Sequence, residues 1–132
     1  MKVFVCVDDT LGIAFNHRRQ SRDRILNEDV IKMADTRLFC TPYSEELLRA
    51  HPRLAVTHTP FLDAGRDDYV FAEMLALDGY SDKIDTLILY HWNRKYPSDM
   101  HLDLSLDTFR LVSKEEFVGY SHEKITKEVY TR

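Results

Sequence analysis

The pattern of apolar and polar positions along the chain predicts a series of short strands. The continuous apolar run at residues 2–7 predicts a strand buried on both faces, and residues 86–90 are the strongest predicted strand. Residues 102–106 alternate strictly between apolar and polar side chains and predict a half-exposed strand. The remaining short apolar runs predict strands at residues 13–15, 37–40, 54–57, 69–72 and 109–112.

Helical signals occur in four places. Apolar side chains near a 3.6-residue period predict a helix from Ser21, as its cap, to about residue 34. Thr41 followed by Pro42 predicts a short helix that ends near residue 50. Two further helices are predicted to begin at Ser113, through a capping box with Glu116, and at Ser121.

These elements in mixed order predict an α+β fold in a single domain, residues 1–132. We expect a largely antiparallel sheet of about six strands, packed with three to four helices. Residues 60–68 and 75–85 are predicted to be loops, since turn-forming residues interrupt their apolar pattern.

Composition narrows the range of functions. The net charge of −4 argues against binding to long nucleic acids or to a membrane surface. Cys6 and Cys40 both lie in apolar runs, which favours buried free thiols and a cytoplasmic location. We expect no signal peptide, because only five apolar residues separate Lys2 from Asp8, and no apolar run reaches membrane-spanning length. The histidines and cysteines show no metal-binding spacing, and no acid/base or phosphate-loop motif is present. We therefore expect no metal, no cofactor and no catalytic residue.

An arginine-rich stretch at residues 15–24 is the first candidate binding site. It places four arginines within seven positions of an acidic chain, directly before a predicted helix. A capped helix N-terminus surrounded by guanidinium groups suits a phosphate. A solvated basic surface that leads into an amphipathic helix is the alternative. The candidate ligand-binding residues are Asn16, Arg18, Arg19 and Arg22.

The polar loop at residues 91–101 is the second candidate, because it follows the strongest predicted strand. Trp92 could stack on a base while Asn93 and Arg94 contact a phosphate. Alternatively, the loop is simply exposed and Trp92 belongs to the core. Further candidates are Arg110, which alternates with apolar neighbours, and the rings of Tyr80 and Phe109, although such rings more often belong to the core.

Three stretches carry a resemblance to a known family. They read F-N-x-R-R-Q-S at residues 15–21, W-N-R-x-Y-P at 92–97 and S-H-E-K-I-T at 121–126. Together they resemble small clostridial and prophage proteins that often carry the label ribonuclease Z, although the H-x-H-x-D-H metal motif of that enzyme is missing. The set is also similar to the first class of Thoeris anti-defence proteins, which are phage signal sponges.

The resemblance implies a protein that binds and sequesters cyclic ADP-ribose-type signals, or cyclic oligonucleotides, without cleaving them. It also implies a homo-oligomer, dimer-based and up to a hexamer, in the cytoplasm of the host cell. On this basis Asn93 and Arg110 come first as ligand contacts, followed by Arg18 and Arg19, and the stacking ring is Tyr80 or Phe109. The protein is then not an enzyme.

Two rival functions remain open at the level of sequence. The first is a small nuclease or phosphodiesterase in which His17 or His91 acts as a general acid or base beside the arginines. The second is a protein-binding inhibitor of a host defence nuclease, for which the acidic segment 63–85 is the only support.

Overall fold

A seven-stranded sheet forms the centre of the protein. The computed structural model describes all residues from 1 to 132. The strands of the large sheet are β1 (Lys2–Val7), β4 (Leu38–Cys40), β5 (Leu54–Val56), β6 (Tyr69–Phe71), β7 (Thr86–His91), β9 (Arg110–Phe117) and β10 (Ile125–Thr131). A three-stranded sheet beside it contains β2 (Gly12–Phe15), β3 (Arg18–Arg19) and β8 (Met100–His101).

The helices are short apart from the first. They are α1 (Arg24–Met33), α2 (Glu45–Leu48) and α3 (Pro60–Asp63), and 3-10 turns occur at Pro42–Ser44, Asp78–Lys83 and Leu106–Thr108. None of the helices has the length and apolar character needed to span a bilayer.

The large sheet is mixed and mostly parallel, in the order β5-β4-β6-β1-β7-β10-β9. The strands from β5 to β7 are parallel, and only β10 runs against them; β9 is antiparallel to β10 and therefore has the same direction as the parallel strands. The predicted combination of helices and sheet is confirmed, but the prediction of a largely antiparallel sheet is wrong. The parallel arrangement fits the continuous apolar runs of the central strands, because such strands are covered on both faces.

Side chains alternate across the central strands into two cores. Val3, Val5 and Val7 of β1 face one apolar cluster, and Phe4 faces the other. The second cluster includes Leu26 and Val30 of α1, so this helix covers that face of the sheet. The prediction that residues 2–7 form a strand buried on both faces is therefore confirmed, as is the strand predicted at residues 86–90.

The last third of the chain differs most from the sequence prediction. The two helices expected from Ser113 and Ser121 are instead the strands β9 and β10, which pair with each other from Ile125↔Phe117 to Thr131↔Arg110. Apolar side chains four residues apart, as at Ile125 and Val129, fit a helix and one face of a strand equally well. The hydrogen-bonded pairing with β7 makes this segment a strand.

Smaller differences concern the loops. Residues 102–106 do not form a strand, and only Met100–His101 pairs with β2. The predicted loops contain α3 and the Asp78–Lys83 turn. Asp23, not Ser21, caps α1, and its side chain accepts hydrogen bonds from the backbone N–H groups of Ile25 and Leu26. Both cysteines are free thiols.

Candidate functional site

Functional side chains collect where the parallel strands end, which we call the carboxyl edge of the large sheet. Asp8 follows β1, Glu73 follows β6 and Trp92 follows β7. The chain leaves β1 towards β4 on one side and later crosses from β6 to β7 on the other side of β1. In open α/β sheets, ligands bind at the carboxyl edge where the strand order reverses in this way.

Asp8 links the loops of this edge through hydrogen bonds. Its carboxylate accepts hydrogen bonds from the backbone N–H groups of Thr10 (2.9 Å), Gly12 (2.8 Å) and Tyr96 (3.1 Å), and from Gln20 Nε2 (3.2 Å). Burial alone would raise the pKa of Asp8, but these backbone hydrogen bonds lower it below its usual value. Asp8 is therefore an ionised structural anchor.

A bidentate ion pair closes the space beside β6. Arg19 Nε lies 2.8 Å from Glu73 Oε2, and Arg19 Nη2 lies 2.9 Å from Glu73 Oε1. Ser44 Oγ donates to the same carboxylate at 2.6 Å, and the Arg19 guanidinium stacks on Tyr43 at 4.3 Å. The cavity enclosed beneath the pair, between Cys6 and Trp92, measures only about 10 Å³. That is room for about one water molecule.

Asp23 connects the start of α1 to the segment before β10. Besides capping α1, its carboxylate accepts hydrogen bonds from the backbone N–H groups of Tyr120 (3.0 Å) and Ser121 (2.9 Å). His122 Nδ1 lies 2.8 Å from Asp23 Oδ2. Burial would raise the pKa of Asp23, but the hydrogen bonds from Tyr120, His122 and Ser121 hold it far below its usual value. The carboxylate thus stays charged, and it occupies the helix N-terminus that the sequence suggested for a phosphate.

The imidazole of His122 is held on several sides. Its ring stacks on Trp92 with 4.6 Å between centroids. Its Nε2 lies 2.9 Å from Ser21 Oγ and 3.3 Å from Tyr96 Oη. Because Nδ1 donates its proton to Asp23, Nε2 is the acceptor for these hydroxyl groups.

A cleft between α1 and α2 opens next to this cluster. Its volume of about 570 Å³ lies in the usual range for small-molecule sites. Arg22, Arg24 and Tyr120 supply its polar and aromatic wall, and the Arg24 guanidinium stacks on the Tyr120 ring at 4.1 Å. Ile31 and Leu47 contribute apolar surface. The cleft therefore combines an apolar wall with two guanidinium groups and with the carboxylates of Asp23, Glu28 and Glu46.

The residues singled out from the sequence fall into two groups on opposite edges of the sheet. The group at the carboxyl edge consists of Asn16, Arg18, Arg19, Arg22, Trp92, Asn93 and Arg94. Arg110 pairs with Thr131, which pairs with Thr86 at the start of β7, so Arg110 lies at the amino edge. Phe109 lies under the Arg132 guanidinium at 4.4 Å, and Tyr80 stacks on Phe61 at 4.9 Å. One small ligand does not reach both groups.

Within the carboxyl-edge group, some side chains are buried or hydrogen-bonded and others are free to bind a ligand. Trp92 is buried, as the alternative interpretation of this loop expected. The amide of Asn93 donates to Lys124 O (3.1 Å) and Thr126 Oγ1 (2.9 Å). Arg18, Arg22 and Arg94 are exposed and form no ion pair, so these three guanidinium groups are free to bind an anion.

Backbone strain is concentrated in the loops of this region. Five residues other than glycine have a positive φ: Leu11 (61°), Asn16 (53°), His17 (59°), Met74 (56°) and Asn93 (59°). They lie in the loops that follow β1, β2, β6 and β7. Such strained positions tend to gather at functional sites, because the surrounding structure holds them there.

The sequence did not predict the most extensively hydrogen-bonded residues of the site. Asp23, Glu73 and His122 have no local motif, and the contacts that define them join distant residues: Arg19 and Glu73 are 54 residues apart, and Asp23 and His122 are 99 residues apart. A carboxylate directly after a buried strand, as at Asp8, was the one available signal.

No protein-family model matches the sequence, and a search of curated proteins gives no match. A solved structure is similar to the whole fold, namely dihydrofolate reductase from Enterococcus faecalis complexed with NADP(H) and RAB-propyl. The TM-score is 0.71 at 10% sequence identity, and the match covers 99% of this chain and 95% of the other. The chain therefore has the dihydrofolate reductase fold.

This similarity corrects the functional expectations drawn from sequence. The fold is shared with a dihydrofolate reductase, so the resemblance to Thoeris sponges and ribonuclease Z is wrong, and the same likeness contradicts the expectation that the protein is not an enzyme. The predicted cyclic ADP-ribose-type or cyclic nucleotide ligand rested on that resemblance and is no longer supported. The same is true of the predicted homo-oligomer. The nuclease and inhibitor alternatives gain no support. Short polar stretches such as 92–97 recur in unrelated folds and are weak evidence of kinship.

Proposed function

We propose that the protein is an NADP(H)-dependent reductase that acts on a folate-type substrate at the carboxyl edge. The observation that carries this proposal is the match of the whole chain to a dihydrofolate reductase complexed with NADP(H). The cluster of charged and aromatic residues at the ends of β1, β6 and β7 supports it, because this is where such sheets bind ligands.

The α1–α2 cleft suits the substrate. Its volume of about 570 Å³ is sufficient for a bicyclic ring with an aromatic tail. Ile31 and Leu47 offer apolar contacts to the rings, and Arg22 and Arg24 offer charge-assisted hydrogen bonds to the carboxylates of such a substrate. Asp23, at the wall of the cleft, stays ionised and has its oxygens occupied, so it positions these groups and does not donate a proton.

The charge of the carboxyl edge suits the cofactor. The free guanidinium groups of Arg18 and Arg94 match a diphosphate, and Arg94 directly follows the loop residues Trp92 and Asn93. No glycine-rich loop follows β6 or β7, so side chains would hold the phosphates in place of backbone N–H groups. When bound, NADP(H) supplies the hydride. The chain's own residues bind, orient and shield the reactants.

Binding and turnover test the proposal. NADPH is titrated into the protein while the emission of Trp92, the only tryptophan, is recorded, and NADPH oxidation is followed after dihydrofolate is added. We expect saturable binding, turnover that requires both ligands, and a loss of about 10-fold in substrate affinity in Arg22→Ala.

Arg110→Ala is the matched control, since Arg110 is an equally exposed arginine at the opposite edge of the sheet. It should behave like the wild type. If NADPH neither binds nor is oxidised with dihydrofolate, the reductase proposal is wrong.

A further inference from the structure

Three side chains at the carboxyl edge form an unbroken line of hydrogen bonds. Ser21 Oγ lies 2.9 Å from His122 Nε2, and His122 Nδ1 lies 2.8 Å from Asp23 Oδ2. The order is hydroxyl, imidazole, carboxylate, with the two ring nitrogens each facing one partner. A serine nucleophile, its general base and the carboxylate that orients the base are connected in this way in unrelated acyl-transfer enzymes.

Burial and charge suit these three roles. Asp23 is buried and held in its charged form by hydrogen bonds, so it orients the imidazole and stabilises a positive charge on it. His122 is 5% exposed and is fixed by stacking on Trp92. Ser21 is half-buried, and it lines the small cavity next to Gln20. Tyr96 Oη, at 3.3 Å, is a more distant competitor for the same nitrogen.

Two backbone donors next to Ser21 are free. The N–H groups of Ser21 and Arg22 belong to no helix or strand and donate to no protein acceptor. In acyl transfer, the N–H of the nucleophile or that of the residue after it commonly contributes to stabilising the oxyanion. These two N–H groups are therefore available for that task.

An unpartnered amide adds an independent observation. Gln20 Oε1 is buried and is the only buried side-chain polar atom without a hydrogen-bond partner. Gln20 and Ser21 both line the enclosed cavity of about 10 Å³, which has the size of one water molecule. Gln20 is thus placed to accept a hydrogen bond from a water held beside Ser21.

We propose that Ser21 is a nucleophile that accepts an acyl group from a carboxylic ester bearing an anionic group. The anionic group is assigned to Arg22 and Arg24, which follow Ser21 in the chain and line the α1–α2 cleft. Ser21 lies between the enclosed cavity and this cleft, because Arg22 and Asp23 line the cleft and Gln20 lines the cavity.

The reaction needs only water as co-reactant. The Ser21 oxygen attacks the ester carbonyl carbon while its proton passes to His122 Nε2. The bond to the alcohol oxygen then breaks, and that oxygen takes the proton from His122. Water repeats the sequence on the acyl-serine: it gives one proton to His122, its oxygen bonds the carbonyl carbon, and Ser21 leaves with the proton as the acid is released.

A fluorophosphonate probe tests the nucleophile directly. With an activated serine, the serine oxygen bonds phosphorus, fluoride leaves, and the serine proton passes to the base. We expect a single adduct, mapped to Ser21 by peptide mass spectrometry, on the folded wild-type protein. The labelling rate should fall about 100-fold in His122→Asn, because general-base assistance is lost. Hydrolysis of p-nitrophenyl acetate should disappear in Ser21→Ala.

Controls separate this site from accidental reactivity. Ser113→Ala removes an exposed serine on β9 and should label like the wild type. Wild-type protein that is unfolded in urea before the probe is added should not be labelled. This comparison keeps the test decisive even if His122→Asn does not fold. No adduct on Ser21, or equal labelling of folded and unfolded protein, overturns the proposal. The experiment needs no NADPH, so it stands apart from the reductase test.

Discussion

His122 Nδ1 lies 2.8 Å from Asp23 Oδ2, although 99 residues separate them along the chain. Asp23 also caps α1, so this contact fastens the start of that helix to the segment before β10. Both side chains are buried, and Trp92 stacks on the imidazole. The geometry of the carboxyl edge therefore depends on a tertiary hydrogen bond between the start of α1 and the segment before β10.

Replacing Asp23 by Asn should destabilise the protein by about 3 kcal/mol at neutral pH, because a buried charge that accepts several hydrogen bonds is lost. The pKa of Asp23 is depressed in the folded state. Its contribution is therefore complete above the usual value of 3.8 and disappears as the pH falls towards the folded-state value. Urea unfolding of both proteins at several pH values measures this.

The gap in unfolding free energy between wild type and Asp23→Asn should be constant from neutral pH down to about pH 5 and should shrink below that. A gap that widens as the solution is acidified would show that Asp23 does not stabilise the fold as a carboxylate.

A side chain at Gly119 should disrupt the same cluster. A Cβ there would lie 2.6 Å from Asp23 Oδ2 and 2.8 Å from Ile125 Cδ1, both of which are held in the interior. Gly119→Ala should therefore lower the unfolding free energy by about 2 kcal/mol. Gly79→Ala is the control, because a Cβ at Gly79 meets nothing within 4 Å. Similar melting temperatures for the two variants would contradict the close approach.

The two adjacent arginines of β3 should differ sharply. Arg19 is paired with Glu73 through two hydrogen bonds, whereas Arg18 is exposed and unpaired. Arg19→Gln leaves the Glu73 carboxylate without its partner and should cost about 2 kcal/mol of unfolding free energy. Arg18→Gln should change it by less than about 0.5 kcal/mol. Equal losses, measured by urea unfolding, would mean that the ion pair contributes nothing.

The two cysteines should resist thiol reagents in the folded protein. Burial raises the pKa of Cys40 to about 12, and it raises the pKa of Cys6 well above its usual value. At about pH 8 we expect no reaction of either thiol with a disulfide reagent until denaturant is added, when both react. Fast reaction of one thiol in the native protein, located by mass spectrometry, would contradict this.

The sequence predicted well those elements whose signal is local. The apolar run of β1 identified this strand and its burial on two faces, because only a covered strand tolerates apolar side chains on each side, and the run of β7 identified that strand. The sequence-based prediction was wrong for β10. The spacing of Ile125 and Val129 fits both a helix and one face of a strand, and the pairing with β7 and β9 selects the strand. Arg18, Arg22 and Arg94 stay predicted ligand contacts, at the edge where the proposed ligands bind.

By itself the sequence determined which segments are buried and which are polar, since hydrophobic periodicity is written into neighbouring residues. Only the tertiary structure decided that the sheet is mostly parallel, that Arg19 is tied to Glu73, and that Ser21, His122 and Asp23 meet at one place. Those relationships join residues far apart in the chain. No local pattern records them, because the free energy that selects them comes from packing and pairing across the whole sheet.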